Sequence, residues 1–219
     1  MTEPHNQQRD TEALILQAAE REFLEKGYSG AKTTAIAQAA GVTHAMLHYY
    51  FRTKEKLFEK IVTDKMDKLR RVMFGVLGNP DLPLRERIKQ GVEQHFDSIA
   101  ENPHLPRFIF NELHERPERI DPVKSSIASM AAGTIATLQQ EIDRKAAKGE
   151  CNQVDARMLM LDIVSLNLFP FIAAPLISSS LGKLFEGRDE FLEMRKKKTS
   201  ERCSESSACR YLTLPDVGI

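Results

Sequence analysis

The chain of 219 residues has no tryptophan, four tyrosines and three cysteines. Cys151, Cys203 and Cys209 do not make a disulfide framework, so a reducing compartment is the better fit. Eleven glycines and ten prolines are too few for the turns of a loop-rich sandwich. An excess of one charge is missing as well. The 31 Lys and Arg balance 31 Asp and Glu, which excludes a wholly basic protein and confines any nucleic-acid surface to a local patch. Residues 1–12 are polar and lack the apolar segment of an export signal, so a cytoplasmic location is expected. Catalytic motifs are missing too. Gly27-Tyr28-Ser29-Gly30 does not have the spacing of a nucleophile elbow, and no Gly-rich phosphate loop, Cys-x-x-Cys pair or His-Glu-x-x-His motif occurs. The expectation is a protein that is not an enzyme and takes no cofactor.

Hydrophobic residues make up 42% and charged residues 28%, enough to build a buried core in one large or two small domains. Helical spacing recurs along the chain and strand alternation does not, which predicts an all-α fold of about nine helices. Ile15, Ala18, Ala19 and Phe23 mark a first helix that Gly27 should end. Thr33 or Thr34 can cap a second short helix, Thr43 a third, and Thr53 a fourth. The fourth carries an apolar stripe from Phe58 to Leu77, and Asn79-Pro80-Asp81-Leu82-Pro83 closes it. The expected organisation is residues 1–53 as one domain and 54–198 as a second, with helix 54–77 as connector. Residues 199–219 are expected to be an unstructured tail.

One segment imitates a membrane span. From Met158 to Ile177, 15 of 20 residues are apolar. Asp162, Asn167, Pro170 and Pro175 interrupt it, and a central Asp and Asn are costly in lipid, so no membrane partner is expected. A helix apolar on nearly all sides also suits burial between subunits. Leu159, Ile163 and Leu166 are therefore candidates for a homodimer interface. The two prolines should kink this helix and open space beside Phe169. That space, with His95, Phe96, Phe108, Phe110 and Asn167, is a candidate ligand site: mostly apolar, with a few polar groups to orient a small molecule.

The informative constellation lies at residues 33–51. A helix-turn-helix needs a small residue where its helices nearly touch and a glycine where the chain reverses, and Ala37 and Gly41 meet those demands. Ala45, Leu47 and Phe51 should pack on the scaffold, leaving Thr43, His44, His48 and Tyr49 toward a groove. Between Gly27 and Lys60, five cations face two carboxylates, a local net of +3. That is the electrostatic footprint expected for phosphate. His44 and His48 also have the i, i+4 spacing of a zinc pair, but no third ligand is near and Glu55 lies beyond the turn, so no metal is expected. Lys54 at a helix start opposes the helix dipole and calls for an anionic partner such as phosphate.

Residues 15–58 resemble the DNA-binding domain of the TetR family of bacterial repressors. The likeness runs through Ile15-Leu16, Ala18-Ala19, Phe23, Gly27-Tyr28, Thr33-Thr34, Ile36-Ala37, Ala40-Gly41-Val42-Thr43, Leu47, Tyr50-Phe51, Lys54 and Leu57, with GVTHAMLHYYFRTKEKLF the most specific stretch. His48 departs from it, standing where many members carry tyrosine. The resemblance implies a helix-turn-helix head that binds a double-stranded operator through Thr33, Thr34, Thr43, His44, His48, Tyr49, Tyr50 and Lys54. It implies a helical body that dimerises through its last long helices and responds to a small-molecule effector. The function so implied is a ligand-responsive transcriptional regulator, most simply a repressor released by an apolar or aromatic molecule. A helical small-molecule-binding homodimer without DNA binding is the alternative.

Overall fold

A computed structural model describes residues 4–180 and 187–207. Among them lie ten α-helices and one 3-10 turn, and no strand. The helices are α1 (Pro4–Gly30), α2 (Thr33–Ala39), α3 (His44–Tyr50), α4 (Lys54–Leu77), α5 (Leu84–Ala100), α6 (Leu105–Glu115), α7 (Asp121–Ala146), α8 (Ala156–Ile172), α9 (Ala174–Ser180) and α10 (Arg188–Ser207). The 3-10 turn, Pro117–Ile120, precedes α7.

Their termini follow from local chemistry. Thr43 Oγ1 accepts the Met46 N–H at 3.1 Å, and Thr53 Oγ1 accepts that of Lys56 at the same distance. The Asp155 carboxylate accepts the Arg157 N–H at 2.8 Å and starts α8. The N-cap of α2 is Lys32, which caps with no side chain; neither Thr33 nor Thr34 plays that part. Gly27 has φ +68 and interrupts α1, after which one further turn continues to Gly30.

The chain divides into two compact units. The first comprises residues up to Asp67 together with Arg107–Lys124, so α6 belongs with α1–α3 and the first half of α4. Its core is formed by Ile15, Ala19, Ile36, Leu47, Leu57 and Phe58, all fully buried. Phe23, Tyr28 and Phe108 gather on Phe58, with ring centroids 5.4, 5.0 and 5.6 Å from it. The buried Glu112 of α6 accepts the Tyr28 N–H at 3.4 Å.

The second unit comprises Lys68–Pro106 and the chain from Ser125 onward. Here α5 packs on both α8 and α10. Leu77, Ile88, Val92, Leu138, Ile142, Leu159, Ile163 and Cys203 form its main core. Arg87 on α5 makes a buried ion pair with Glu141 on α7. Gln139 ties the two ends of one turn together, donating to Val154 O at 3.1 Å and accepting from Ala156 N at 2.7 Å.

The last helix is longer than its sequence suggests. Residues 199–207, expected in an unstructured tail, complete α10. Thr199, Ser200, Cys203 and Ser204 are buried there. The hydroxyls of Ser200 and Ser204 donate to the carbonyls of Lys197 and Glu201, both at 3.1 Å, so these two serines enter the core with their donors satisfied, whereas the buried Thr199 hydroxyl has no partner among the described residues. Cys203 is a core residue, and burial pushes its thiol up to about 11. Residues 208–219, with Cys209, lie outside the described residues. No described helix is long and apolar enough to cross a membrane. The prolines act differently from the sequence expectation. Pro170 lies inside α8, and the break falls at Ala173, just before Pro175 in the first turn of α9.

Candidate nucleic-acid interface

The turn between α2 and α3 is built by backbone hydrogen bonds. Val42 N–H reaches Ala37 O at 3.0 Å, and Gly41 N–H reaches Gln38 O at 3.1 Å. This closure needs positive φ at the first of the two donor residues, and Gly41 supplies φ +69 without a Cβ. Beyond the turn, Leu47 and Phe51 are buried and hold α3 on the unit's core. Ala45 was expected beside them but is exposed, because one turn of α3 places it on the outer face. Thr34, Thr43, His44, His48 and Tyr49 are exposed; Thr33, Tyr50 and Lys54 are half-buried. All eight lie in the first unit. Tyr49, 74% exposed, projects furthest, with its ring edge-on to Tyr50 at 5.5 Å.

Several of these side chains are already engaged. His44 Nε2 lies 3.1 Å from Thr33 Oγ1 and cross-links the two short helices. His48 Nδ1 lies 3.1 Å from Arg52 O. The two rings meet edge to face at 4.5 Å and 79°. Among the described residues no third metal-ligating side chain joins them. Lys54, expected to await an anion, places its Nζ 4.6 Å above the Tyr28 ring and 3.5 Å from Ser29 O. Lys56 pairs with Glu59 at 2.7 Å and Lys60 with Asp64 at 2.8 Å. Such exposed pairs contribute about 0–1 kcal/mol and can exchange for phosphate, but they narrow the fixed positive patch to Lys32, Arg52 and Lys54.

The proposed ligand residues divide. His95, Phe96 and Asn167 come together in the second unit, all buried. Asn167 Nδ2 lies 2.9 Å from Val92 O and 3.0 Å from His95 Nδ1. The Val92 carbonyl can only accept, which fixes the amide orientation and places nitrogen toward His95. His95 therefore accepts at Nδ1 as a neutral ring, and burial lowers its pKa to about 4. The Asn167 Oδ1 atom is buried and has no hydrogen-bond partner among the described residues. Phe96 stacks obliquely on Phe171, centroids 5.3 Å apart, in a cluster with Ile99. Phe171, which the sequence places with Phe169 beside the prolines, joins them although it was not among the expected ligand residues. The other three candidates lie elsewhere. Phe108 packs on Phe58 in the first unit, while Phe110 and Phe169 are 57% and 59% exposed.

Two family models match this chain. One, for bacterial regulatory proteins of the tetR family, covers residues 15–61; the other, the tetracyclin repressor-like C-terminal domain, covers 85–199, more than half of the sequence. The chain belongs to the TetR family of bacterial regulatory proteins. Within that family it is similar to the HTH-type transcriptional regulator YdgC of Bacillus subtilis, 29% identical over 99 residues, which are 44% of this chain and 51% of YdgC. It is also similar to the HTH-type transcriptional activator FasR of Mycolicibacterium smegmatis, 24% identical over 70% of this chain and 67% of FasR. The chain thus spans about half the length of YdgC and two thirds of FasR. The fold is that of FadR from Bacillus subtilis, solved in complex with stearoyl-CoA, with a TM-score of 0.64 at 16% identity, covering 89% of this chain and 98% of FadR.

For a TetR-family head, two residues of the outer surface were not singled out for it, Ala45 and Met46, while Arg52 was counted only in the local positive charge. Ala45 and Met46 are exposed apolar groups on α3, and Arg52 is an exposed cation at its end. An exposed methyl or thioether on a recognition helix suits the thymine methyl group. For Ala45 and Met46 the signal available was helix phase alone. On a seven-residue helix with one buried residue, Leu47, phase is weakly defined.

Proposed function

We propose that this TetR-family chain is a ligand-responsive, DNA-binding transcriptional regulator that works as a cytoplasmic homodimer. The observation that carries the DNA-binding part is the α2–Gly41–α3 unit, whose second helix buries Leu47 and turns Thr43, Met46, His48 and Tyr49 outward beside Lys32 and Arg52. A helix of that kind fits a major groove, with cations at its end for phosphate.

The effector reading rests on Asn167. Its amide nitrogen is held by Val92 and His95 while its buried oxygen lacks a donor. A buried acceptor left unmatched costs about 1–3 kcal/mol, which favours a molecule that brings a donor. We assign the effector to a small, mostly apolar or aromatic compound that donates one hydrogen bond to Asn167 beside Phe96 and Phe171. FadR, of the same fold, was solved in complex with stearoyl-CoA, a ligand with a long apolar chain, which supports this reading. Residues of α4 contribute to both compact units, which makes α4 the route by which effector binding would alter the head. Coupling of this type amounts to about 1–3 kcal/mol, or 5–150-fold in DNA affinity.

Asn167→Leu tests the assignment. Effector-driven release from operator DNA weakens by about tenfold or more, while operator affinity without effector stays within about twofold. Equal release by the variant and the natural protein overturns the role of Asn167 in effector binding.

The dimer reading changes its residues. Leu159 and Ile163 are buried in the chain's own core and Leu166 is half-buried. Met158, Leu161 and Phe169 on α8, with Leu176 on α9, form the exposed apolar surface. We place the second copy on that surface.

A further inference from the structure

The two histidines of α3 are not equivalent. His44 Nε2 faces the Thr33 hydroxyl, which can donate or accept, so that contact leaves the tautomer of His44 open. His48 Nδ1 faces the backbone oxygen of Arg52. A carbonyl only accepts, so the hydrogen of the neutral ring must sit on Nδ1, and the lone pair sits on Nε2. Nε2 is on the opposite edge of the ring and makes no hydrogen bond among the described residues. The side chain is exposed.

The surroundings leave that lone pair available. Between Glu25 and Glu55 the sequence has no carboxylate. On α2, which packs against α3, there is no titratable side chain. The titratable and charged groups nearby are His44, Tyr49 and Tyr50 on α3 itself, with Lys32, Arg52 and Lys54 beyond its neighbours' ends. No acid side chain of this segment takes a hydrogen from His48.

Resting on the reading of α3 as the helix that enters the groove, we propose that His48 is a specificity-determining residue that reads DNA as a hydrogen-bond acceptor. Its Nε2 takes a hydrogen from an exocyclic amine, N6 of adenine or N4 of cytosine. These amines are the hydrogen-bond donors that bases present in the major groove. Phosphate oxygens, guanine O6 and guanine N7 only accept, so a neutral ring held in this tautomer offers them nothing. The Arg52 carbonyl is therefore part of the readout, because it sets which nitrogen carries the lone pair. Phosphate anchoring falls instead to the fixed cations.

The test uses the full-length protein at pH 8, where an ordinary imidazole is neutral. Duplexes selected from a randomised library by the natural protein and by His48→Phe are compared. The expected difference is one base pair per half-site at which the natural protein has a preference and the variant has none; the amine to be tested there is N6 of its adenine or N4 of its cytosine. At that pair, replacing adenine by purine, or cytosine by 2-pyrimidinone, removes the amine. It weakens the natural protein about 3- to 10-fold, the effect of one neutral hydrogen bond, and leaves His48→Phe unchanged. Where adenine is selected, 7-deazaadenine, which keeps the amine and loses N7, binds like adenine. The analogue measurements on the natural protein stand even if the variant folds poorly. Unchanged binding to the amine-free base at that pair overturns the proposal. So does a uniform loss for His48→Phe across all sequences with a salt slope lower by about one, which marks a phosphate contact. If the natural protein selects no sequence, the reading of α3 as a DNA-reading helix falls, and the role of His48 falls with it.

Discussion

The hydrogen bond between Asn167 and His95 depends on the protonation state of His95. Asn167 donates to Nδ1 of a neutral, buried His95, whose pKa of about 4 lies below the ordinary 6.5 because burial disfavours the imidazolium. The unfolded chain therefore takes up a proton between pH 6.5 and 4 that the folded chain refuses. Stability from this residue is complete above pH 6.5 and is lost as the pH falls through that window to the folded value. Between pH 8 and pH 5 the loss is about 2 kcal/mol. Urea midpoints at the two pH values measure it, and His95→Gln should flatten the difference by that amount. An equal pH dependence in the variant would show that His95 is not the group responsible. At the interface, Arg52 is an exposed cation and Lys54 lies over the Tyr28 ring. Arg52→Ala is expected to lower the slope of log affinity against log salt by about one without a change of preferred sequence. Lys54→Ala should do the same and also destabilise by about 0.5–1 kcal/mol, because the cation–π contact goes with the charge. An unchanged slope in either variant removes that residue from the phosphate contacts.

Among the helices, α8 separates what periodicity can and cannot convey. Its residues are apolar on nearly every side, so the sequence alone does not indicate which stripe faces inward. The inward stripe proves to be Leu159, Ile163, Asn167 and Phe171, and it carries the one amide, while Phe169 faces out. The nitrogen of Asn167 is held by Val92 and His95, which lie 75 and 72 residues earlier in the chain, so no local pattern shows that this amide faces inward. The same phase decides the dimer experiment. Leu161→Glu and Phe169→Glu are expected to give folded monomers in sedimentation at micromolar concentration. Leu159→Glu should instead unfold the body, since an unpaired charge in the core costs several kcal/mol. A folded monomer from Leu159→Glu together with a dimer from Leu161→Glu would reverse the assignment. Other elements were more legible. The caps at Thr43 and Thr53, the glycine at 41 and the stripe of α4 act through neighbours a few residues away. The end of α10 was not legible, because a run of Thr, Ser and Cys reads as polar until four of its residues bring small side chains into a core made by distant helices.

For the whole molecule, the helical architecture and the head's motif were legible in the sequence, but the ligand candidates were only partly so. His95, Phe96 and Asn167 converge, whereas Phe108 belongs with α1 and α4 around Phe58. Aromatic residues on consecutive helices, α5 and α6, looked equivalent by composition. Their separation into different compact units depends on tertiary contacts that no local pattern encodes. The grouping of α6 with the head, through Phe108 and Glu112, gives the regulatory reading a physical component, because a shift of α6 would disturb Phe58 and the Tyr28 N–H directly. The central claim is that this chain reads specific DNA through α3 as a symmetric pair. The most direct measurement is selection from a randomised duplex library with the full-length protein, followed by fluorescence anisotropy on the enriched duplex. The account predicts a two-fold-symmetric sequence bound at least about 10³-fold more tightly than random DNA, with that preference lost in Tyr49→Ala. Binding of enriched and random duplexes with equal affinity, or enrichment unaffected by Tyr49→Ala, would contradict it.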